Sequence, residues 1–361
     1  MAKQRQKNSN IADKFSKRLN SIPAEIISKI AKIDELKGSW VTGAQLSPQV
    51  LGRLKRSVLI TSTGASTRIE GVQLTDEDIE KVMKGINIQK FADRDTQEVK
   101  GYYELLENIF NSWEQLKFNE NSIKHFHKEL LKYSDKDQGH LGNYKFGENK
   151  VVAYDQEGKE VGVIFNPTSP HLTPKEMIEL VETTKFLLAD RKYHPLLVIA
   201  NFLVEFLKIH PFQDGNGRIS RVLTNLLLLQ NGYLYMPYVS HEKLVEDNKT
   251  EYYLALRRSQ KTFHTNKEDI TPWLDFFFMI LLKQSQLAIE LLSKENIEKL
   301  LSEKQLAVWK FFEHVEMAGT GEIVTGTNIP RPTVKQALEV LLKLKKIERI
   351  GLGRSARYKK V

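Results

Sequence analysis

Twelve consecutive residues, 210–221, constrain this chain more than any other stretch; they read His-Pro-Phe-Gln-Asp-Gly-Asn-Gly-Arg-Ile-Ser-Arg. Glycines at 215 and 217 allow backbone conformations that other residues avoid, so residues 214–217 read as a turn. Beyond the turn, apolar residues at 219, 222, 223, 226 and 227 recur at helical spacing. A glycine-rich turn that opens a helix aims free N–H groups and the positive end of the helix dipole at one spot, which suits an anion. Arg218 and Arg221 are three residues apart and share one face of the first turn. Their forked guanidinium groups match pairs of phosphate oxygens. Asp214 stands where it can hold a divalent cation through those oxygens. His210 is the one group in the stretch able to take a proton near neutral pH. A glycine turn alone, or a histidine at a helix end alone, is commonplace. Base, carboxylate, turn and paired arginines together read as a phosphoryl or nucleotidyl transfer site. No Gly-Lys-Ser/Thr follows the turn, so the stretch is not a P-loop.

The pattern His-Pro-Phe-x-Asp-Gly-Asn-Gly-Arg-x-x-Arg resembles the signature of Fic-domain proteins. Every fixed position is filled, and Gln213 and Ser220 fall at variable ones. The resemblance implies a mainly α fold, a Fic-type helical core with a β-hairpin flap. It implies transfer of AMP from ATP, with Mg²⁺, to a Ser, Thr or Tyr hydroxyl of a target protein or of the chain itself. His210 would be the catalytic base and Asp214 the metal ligand. Gly215, Asn216, Gly217, Arg218, Ile219, Ser220 and Arg221 would surround the phosphates. Tyr252 and Tyr253, with Gln260 further along the same helix, would line the adenine pocket; the family usually offers Asn where Gln260 stands.

Residues 63–71 read Thr-Gly-Ala-Ser-Thr-Arg-Ile-Glu-Gly. Ser66 is a candidate cap for a short helix, Glu70 lies four residues on, and Gly71 is a natural stop. Local chemistry alone gives only a capped turn. Ser66-x-x-x-Glu70-Gly71 is also similar to the inhibitory helix of Fic proteins, here placed before the core. The resemblance implies that Glu70 pairs with Arg221 and occupies the fork that would hold a γ-phosphate.

The rest of the chain sets the context. With 361 residues there is room for two or three domains. The absence of cysteine excludes disulfides, cysteine–zinc sites and thiol catalysis, and suits a reducing cytoplasm. The apolar runs 196–209 and 273–282 are too short or too polar to span a bilayer, and the N-terminus lacks the apolar region of a signal peptide. Residues 1–20 are polar and basic and read as a mobile tail. Helices are expected over 23–37, 51–60, 75–84, 95–118, 121–132, 174–190, 194–209, 218–230, from 252, and over 271–292. His125 and His127 point apart on one of them, so structural roles are expected for both. Residues 150–154 and 161–165 flank a glycine-containing turn and read as a hairpin; by resemblance it is the flap, whose strand edge would hold a target segment.

Charge is uneven. The formal net charge is +9, and residues 301–361 carry 12 Lys and Arg against 6 Asp and Glu. Helices are expected at 305–314 and 331–346, with a turn region at 319–326 and a basic hairpin at 347–358. This resembles a small winged-helix (α+β) module. Arg331, Thr333, Lys335 and Gln336 would open its recognition helix, with Arg354 and Arg357 on the wing facing DNA phosphate. A protein-binding or dimer-stabilising module fits the same residues, and the Fic resemblance implies a homodimer. The main alternative function is a DNA-binding regulator whose nucleotide site senses ATP; another is transfer of phosphate, UMP or phosphocholine in place of AMP.

Overall fold

The computed structural model of the protein describes residues 9–43, 48–85, 93–148, 151–154, 160–165, 167–263, 265, 267–344, 346–351 and 356–360. The chain divides into two compact units, residues 1–289 and 290–361. The architecture is mainly helical.

In the first unit, helix α1 (Ser9–Leu19) falls where composition suggests a solvated tail. Its Ile11, Phe15 and Leu19 recur every four residues and are buried. Arg18 is buried as well: it donates to Asn201 Oδ1 at 3.1 Å and to Glu205 Oε2 at 2.7 Å. A basic residue that reads as solvent-facing is thus an internal anchor. Residues 1–8 lie outside the described residues.

Helices α2 (Ala24–Gly43), α3 (Pro48–Ile69), α4 (Asp76–Met83), α5 (Asp93–Ser112) and α6 (Glu120–Leu131) follow. Helix α3 joins what the sequence divides into a helix at 51–60 and a short one near 66–70. Ser66 is therefore interior to a 22-residue helix and caps nothing. The helix stops at Gly71, whose φ of 105° is left-handed. Gly71 N–H donates to Arg68 O and Val72 N–H to Thr67 O, the paired bonds of a glycine-terminated helix. Glu70 is thereby placed at the helix end.

A two-stranded antiparallel hairpin, β1 (Val151–Tyr154) and β2 (Glu160–Phe165), precedes helix α7 (Thr173–Asp190). The hairpin turn, 155–159, lies outside the described residues. Helix α8 (Pro195–Ile209) is the centre of the unit, with every residue from Leu196 to Ile209 buried. An apolar run that wide must be wrapped on all sides, and α1, α7 and α9 (Asn216–Gln230) pack on it. Its polar members are partnered: Asn201 and Glu205 take Arg18, and Lys208 Nζ donates to Thr168 Oγ1 and Glu176 Oε2, both at 3.1 Å. Helices α10 (His241–Asp247) and α11 (Lys249–Gln260) follow, and α12 (Thr271–Leu300) runs past residue 289, where the first unit ends. Among the described residues, no helix is long and apolar enough to cross a membrane.

The second unit contains α13 (Glu303–Phe311), β3 (Met317–Gly319), α14 (Thr320–Thr327), α15 (Arg331–Lys343), β4 (Ile347–Ile350) and β5 (Arg357–Lys360). The three strands form an antiparallel sheet in the order β3-β5-β4. Val308, Trp309, Ile323, Val334, Leu338 and Leu341 belong to its own core. Residues 319–326, read from three glycines as a turn, instead form a strand end and α14. The Glu322 carboxylate accepts the Gly319 N–H at 2.9 Å and satisfies the start of that helix.

Candidate active site

The stretch 210–221 bridges the end of α8 and the start of α9. His210 ends α8 in a left-handed conformation, φ 52°, and Pro211 has no N–H with which to continue. Gly215, φ 79°, opens α9. The first bond of α9 runs from Ile219 N–H to Gly215 O, which leaves the N–H groups of Asn216, Gly217 and Arg218 facing the turn. The Asn216 amide is spent inside the loop: Oδ1 accepts Phe212 N–H at 2.9 Å and Nδ2 donates to Phe212 O at 2.8 Å. It braces the turn and does not point its amide at a phosphate. Ser220 Oγ likewise donates to Gly217 O at 2.7 Å, and the Ile219 side chain is wholly buried in the core.

His210 is partly exposed, and the ring of Phe165, at the end of β2, stands edge-on to it at 6.1 Å. Burial and the nearby Lys145 ammonium push its pKa down to about 4. The imidazole is therefore neutral at physiological pH, as a base must be.

The two arginines have different surroundings. Arg218 is 1% exposed, donating to Glu98 Oε2 at 2.8 Å and lying 3.2 Å from Asp214 Oδ1. Arg221 reaches across to α3. Its Nε donates to Ser66 Oγ at 2.8 Å, and Nη2 donates to Ser66 O at 2.9 Å and to Glu70 Oε1 at 2.7 Å. Its Nη1 is buried without a partner. The Glu70 carboxylate lies so close over the turn that a methyl group on Gly217 would collide with it. The helix end carrying Glu70 is tied down by Arg68, which donates to both Glu246 oxygens, at 2.6 and 3.2 Å, and to Leu74 O at 2.9 Å.

Helix α11 flanks this pair, and the charges of Glu70 and Arg221 act on both Tyr252 and Tyr253. Tyr252 is mostly core, packed on Trp273 and Phe276 at 5.9 and 5.7 Å; Tyr253 is the more exposed of the two. Gln260 is buried two turns on, with Nε2 unpartnered. Asp214 keeps 44% of its side chain exposed beside the turn.

Sequence reasoning missed two supports of the loop, Glu98 and Lys145, and did not say what the structural role of a third, His127, would be. The His127 ring stacks on Phe212, centroids 3.9 Å apart and planes within 6°. Gly142 N–H donates to its Nδ1 at 3.0 Å, so Nε2 carries the proton and donates to Asp214 O at 3.1 Å. Burial holds its pKa down at about 4 and keeps that neutral form. The expected structural role for His127 is thus specific, because it fixes the loop that carries Asp214. These contacts span 64 to 120 positions of sequence, and no spacing pattern signals them.

Residues 117–228 match a family model described as the Fic/DOC family. A Fido domain-containing protein of Dictyostelium discoideum is 34% identical over 100 residues, covering 28% of this chain and 66% of that protein. A probable protein adenylyltransferase of Aquifex aeolicus (strain VF5) is 27% identical over 192 residues, covering 51% of this chain and 52% of that protein. The chain thus spans only between half and two-thirds of the length of these two relatives. A crystal structure of a Fic family protein from Desulfovibrio desulfuricans G20 shares the fold, with a TM-score of 0.63 at 23% identity over 94% of this chain and 97% of that one. Fold and family match support a Fic/Fido domain in this chain.

Proposed function

We propose that this protein transfers AMP from ATP to a protein hydroxyl, and that Glu70 holds the activity down. One observation carries the reading: the Glu70 carboxylate lies against Gly217 and pairs with Arg221. An anionic side chain there competes with a phosphate for the same helix start and the same guanidinium. The relatives named adenylyltransferases imply ATP as the substrate.

With Glu70 displaced, the N–H groups of Asn216, Gly217 and Arg218 and the fork of Arg221 hold the outer phosphates. Arg218 acts from behind, holding Asp214 in place. Neutral His210 takes the proton of the target hydroxyl. The hydroxyl oxygen attacks the α-phosphorus, the bond from that phosphorus to the bridging oxygen breaks, and pyrophosphate leaves. Asp214, with 44% of its side chain exposed beside the turn, fits a magnesium site of the kind held by one carboxylate and substrate phosphates. Magnesium bound there supplies neutralisation of phosphate charge. The edge of the β1–β2 hairpin beside His210 offers backbone hydrogen bonds to an extended target segment.

Intact mass after incubation with Mg²⁺ and ATP tests the reading. Glu70→Gly gains adenylyl groups faster than the parent, and adding His210→Ala abolishes the gain. No adenylyl mass in Glu70→Gly removes the transferase; equal gain in parent and variant removes the inhibition.

The second unit favours a further reading, DNA binding. Its order of helix, strand, helix, helix and two strands supports a winged-helix module, and α15 turns Arg331, Lys335 and Gln336 to solvent while Val334, Ala337 and Leu338 are buried. Thr333 is half-buried on the same first turn. Of the expected wing residues, Arg357 pairs with Glu322 at 2.8 Å, and Arg354 lies outside the described residues.

A further inference from the structure

Lys145 is 3% exposed, although lysine almost never gives up its water without a specific partner. Its two ends grip the chain on either side of His210. Nζ donates to Ile209 O at 3.0 Å, and the Lys145 N–H donates to Pro211 O at 2.9 Å. Ile209 ends α8, where carbonyls lack intrahelical partners and a cation meets the negative end of the dipole. His210, between the two gripped carbonyls, adopts a left-handed backbone, φ 52°, that residues with a Cβ resist.

We propose that Lys145 is the positioning residue for His210: the two bonds that bracket it fix its left-handed backbone and so aim the imidazole. This rests on the reading of His210 as the base. The groups whose charges act on the ring are Lys145, Glu70 and Asp214. Lys145 is the cation among them, so besides aiming the ring it disfavours the imidazolium form. Neighbouring Lys208 is occupied with Thr168 and Glu176 and does not substitute for it.

The test is made in the Glu70→Gly background with ATP and Mg²⁺, following self-modification by intact mass. Lys145→Met lowers the rate at saturating ATP roughly a hundredfold, the scale of a small misplacement of a reacting group. The ATP concentration for half-maximal rate stays within about twofold, because the phosphate-holding groups are untouched. Lys145→Arg, which retains a buried donor, restores most of the rate. An unchanged rate in Lys145→Met, an equal loss in Lys145→Arg, or a loss confined to half-saturation overturns the proposal. Crystal structures of the two variants read the same claim without activity. His210 leaves the left-handed region in Lys145→Met and keeps it in Lys145→Arg; an unmoved His210 in Lys145→Met overturns the proposal. If the Glu70→Gly parent gains no adenylyl mass, the transferase reading fails and the crystal structures alone decide on Lys145.

Discussion

Glu70 Oε1 lies 2.7 Å from Arg221 Nη2, joining the C-terminal end of α3 to the first turn of α9. The pair is unequal. The Arg221 side chain is 4% exposed, whereas that of Glu70 is 31% exposed. Glu70 also stands at the negative end of its own helix, where a carboxylate is disfavoured, so it is the member of the pair that can leave. Removing it leaves a buried guanidinium without its carboxylate, at a cost of about 1–3 kcal/mol. An anion that takes its place recovers that energy. ATP is therefore expected to raise the thermal midpoint of Glu70→Gly more than that of the parent, as differential scanning fluorimetry would read. Equal shifts would mean that Glu70 does not compete with the nucleotide.

Arg218 and Arg221 look equivalent in sequence and differ in kind. Arg218 is locked between Glu98 and Asp214, and its removal leaves Glu98 buried without its guanidinium partner. Breaking one side of such a pair costs about 3–5 kcal/mol. Arg218→Ala is expected to lower the thermal midpoint by roughly 6–20 °C in the absence of nucleotide, on the order of 2–4 °C per kcal/mol. Arg221→Ala in the Glu70→Gly background removes a phosphate fork and is expected to weaken ATP binding more than it weakens the fold. An Arg218→Ala protein with an unchanged midpoint would remove the structural role given to that side chain.

How far the site was legible follows from these residues. The turn, the base and the arginine pair lie within twelve positions, so spacing alone brings them together. The Glu70–Arg221 pair spans 151 positions, and only the family resemblance suggested it. Helix boundaries failed where glycine was read as punctuation. Gly321 and Gly326 sit inside α14, whose Ile323 is buried, so packing of that helix outweighs the roughly 1 kcal/mol that a glycine costs it. The basic N-terminal segment misled for a related reason: a charge count cannot see that Arg18 meets Glu205. Glu98 and Lys145 were invisible, and the partner of His127 with them, because each supports the loop from a remote helix or connection.

Three imidazoles set a pH dependence whose sign is fixed. Desolvation lowers His127, His210 and His241 from the usual 6.5 to about 4. Between those values the unfolded chain binds protons that the folded chain refuses, so stability rises with pH through the window and is lost as pH falls from about 6.5 towards 4. The thermal midpoint is expected to hold near neutrality and drop by pH 4.5, with a shallower fall in His241→Phe, where one of the three groups is gone. Transfer by Glu70→Gly should stay flat from pH 8 to about 5, since His210 remains neutral there. A rate that falls with a midpoint near 6.5 would mean that His210 is not held neutral by its surroundings.

The DNA reading of the second unit makes a separate prediction, because electrostatic contacts to phosphate carry a salt signature. Arg331, Lys335 and Lys343 are exposed along one face of α15, and none has a carboxylate partner among the described residues. Glu339, exposed on the same face, opposes them, so duplex affinity should be modest and concentrated at the N-terminal half of the helix. The full chain is expected to bind duplex DNA with an affinity that falls steeply between 50 and 200 mM salt, a range over which roughly 10³-fold losses accompany six or so phosphate contacts. Changing Arg331 and Lys335 together to Ala should weaken binding and reduce the slope of log affinity against log salt by about two, near one per lost contact. Fluorescence anisotropy with a labelled duplex reads both quantities. Binding that ignores salt, or a double variant with the parent's slope, would assign this face to a protein partner or a second copy of the chain.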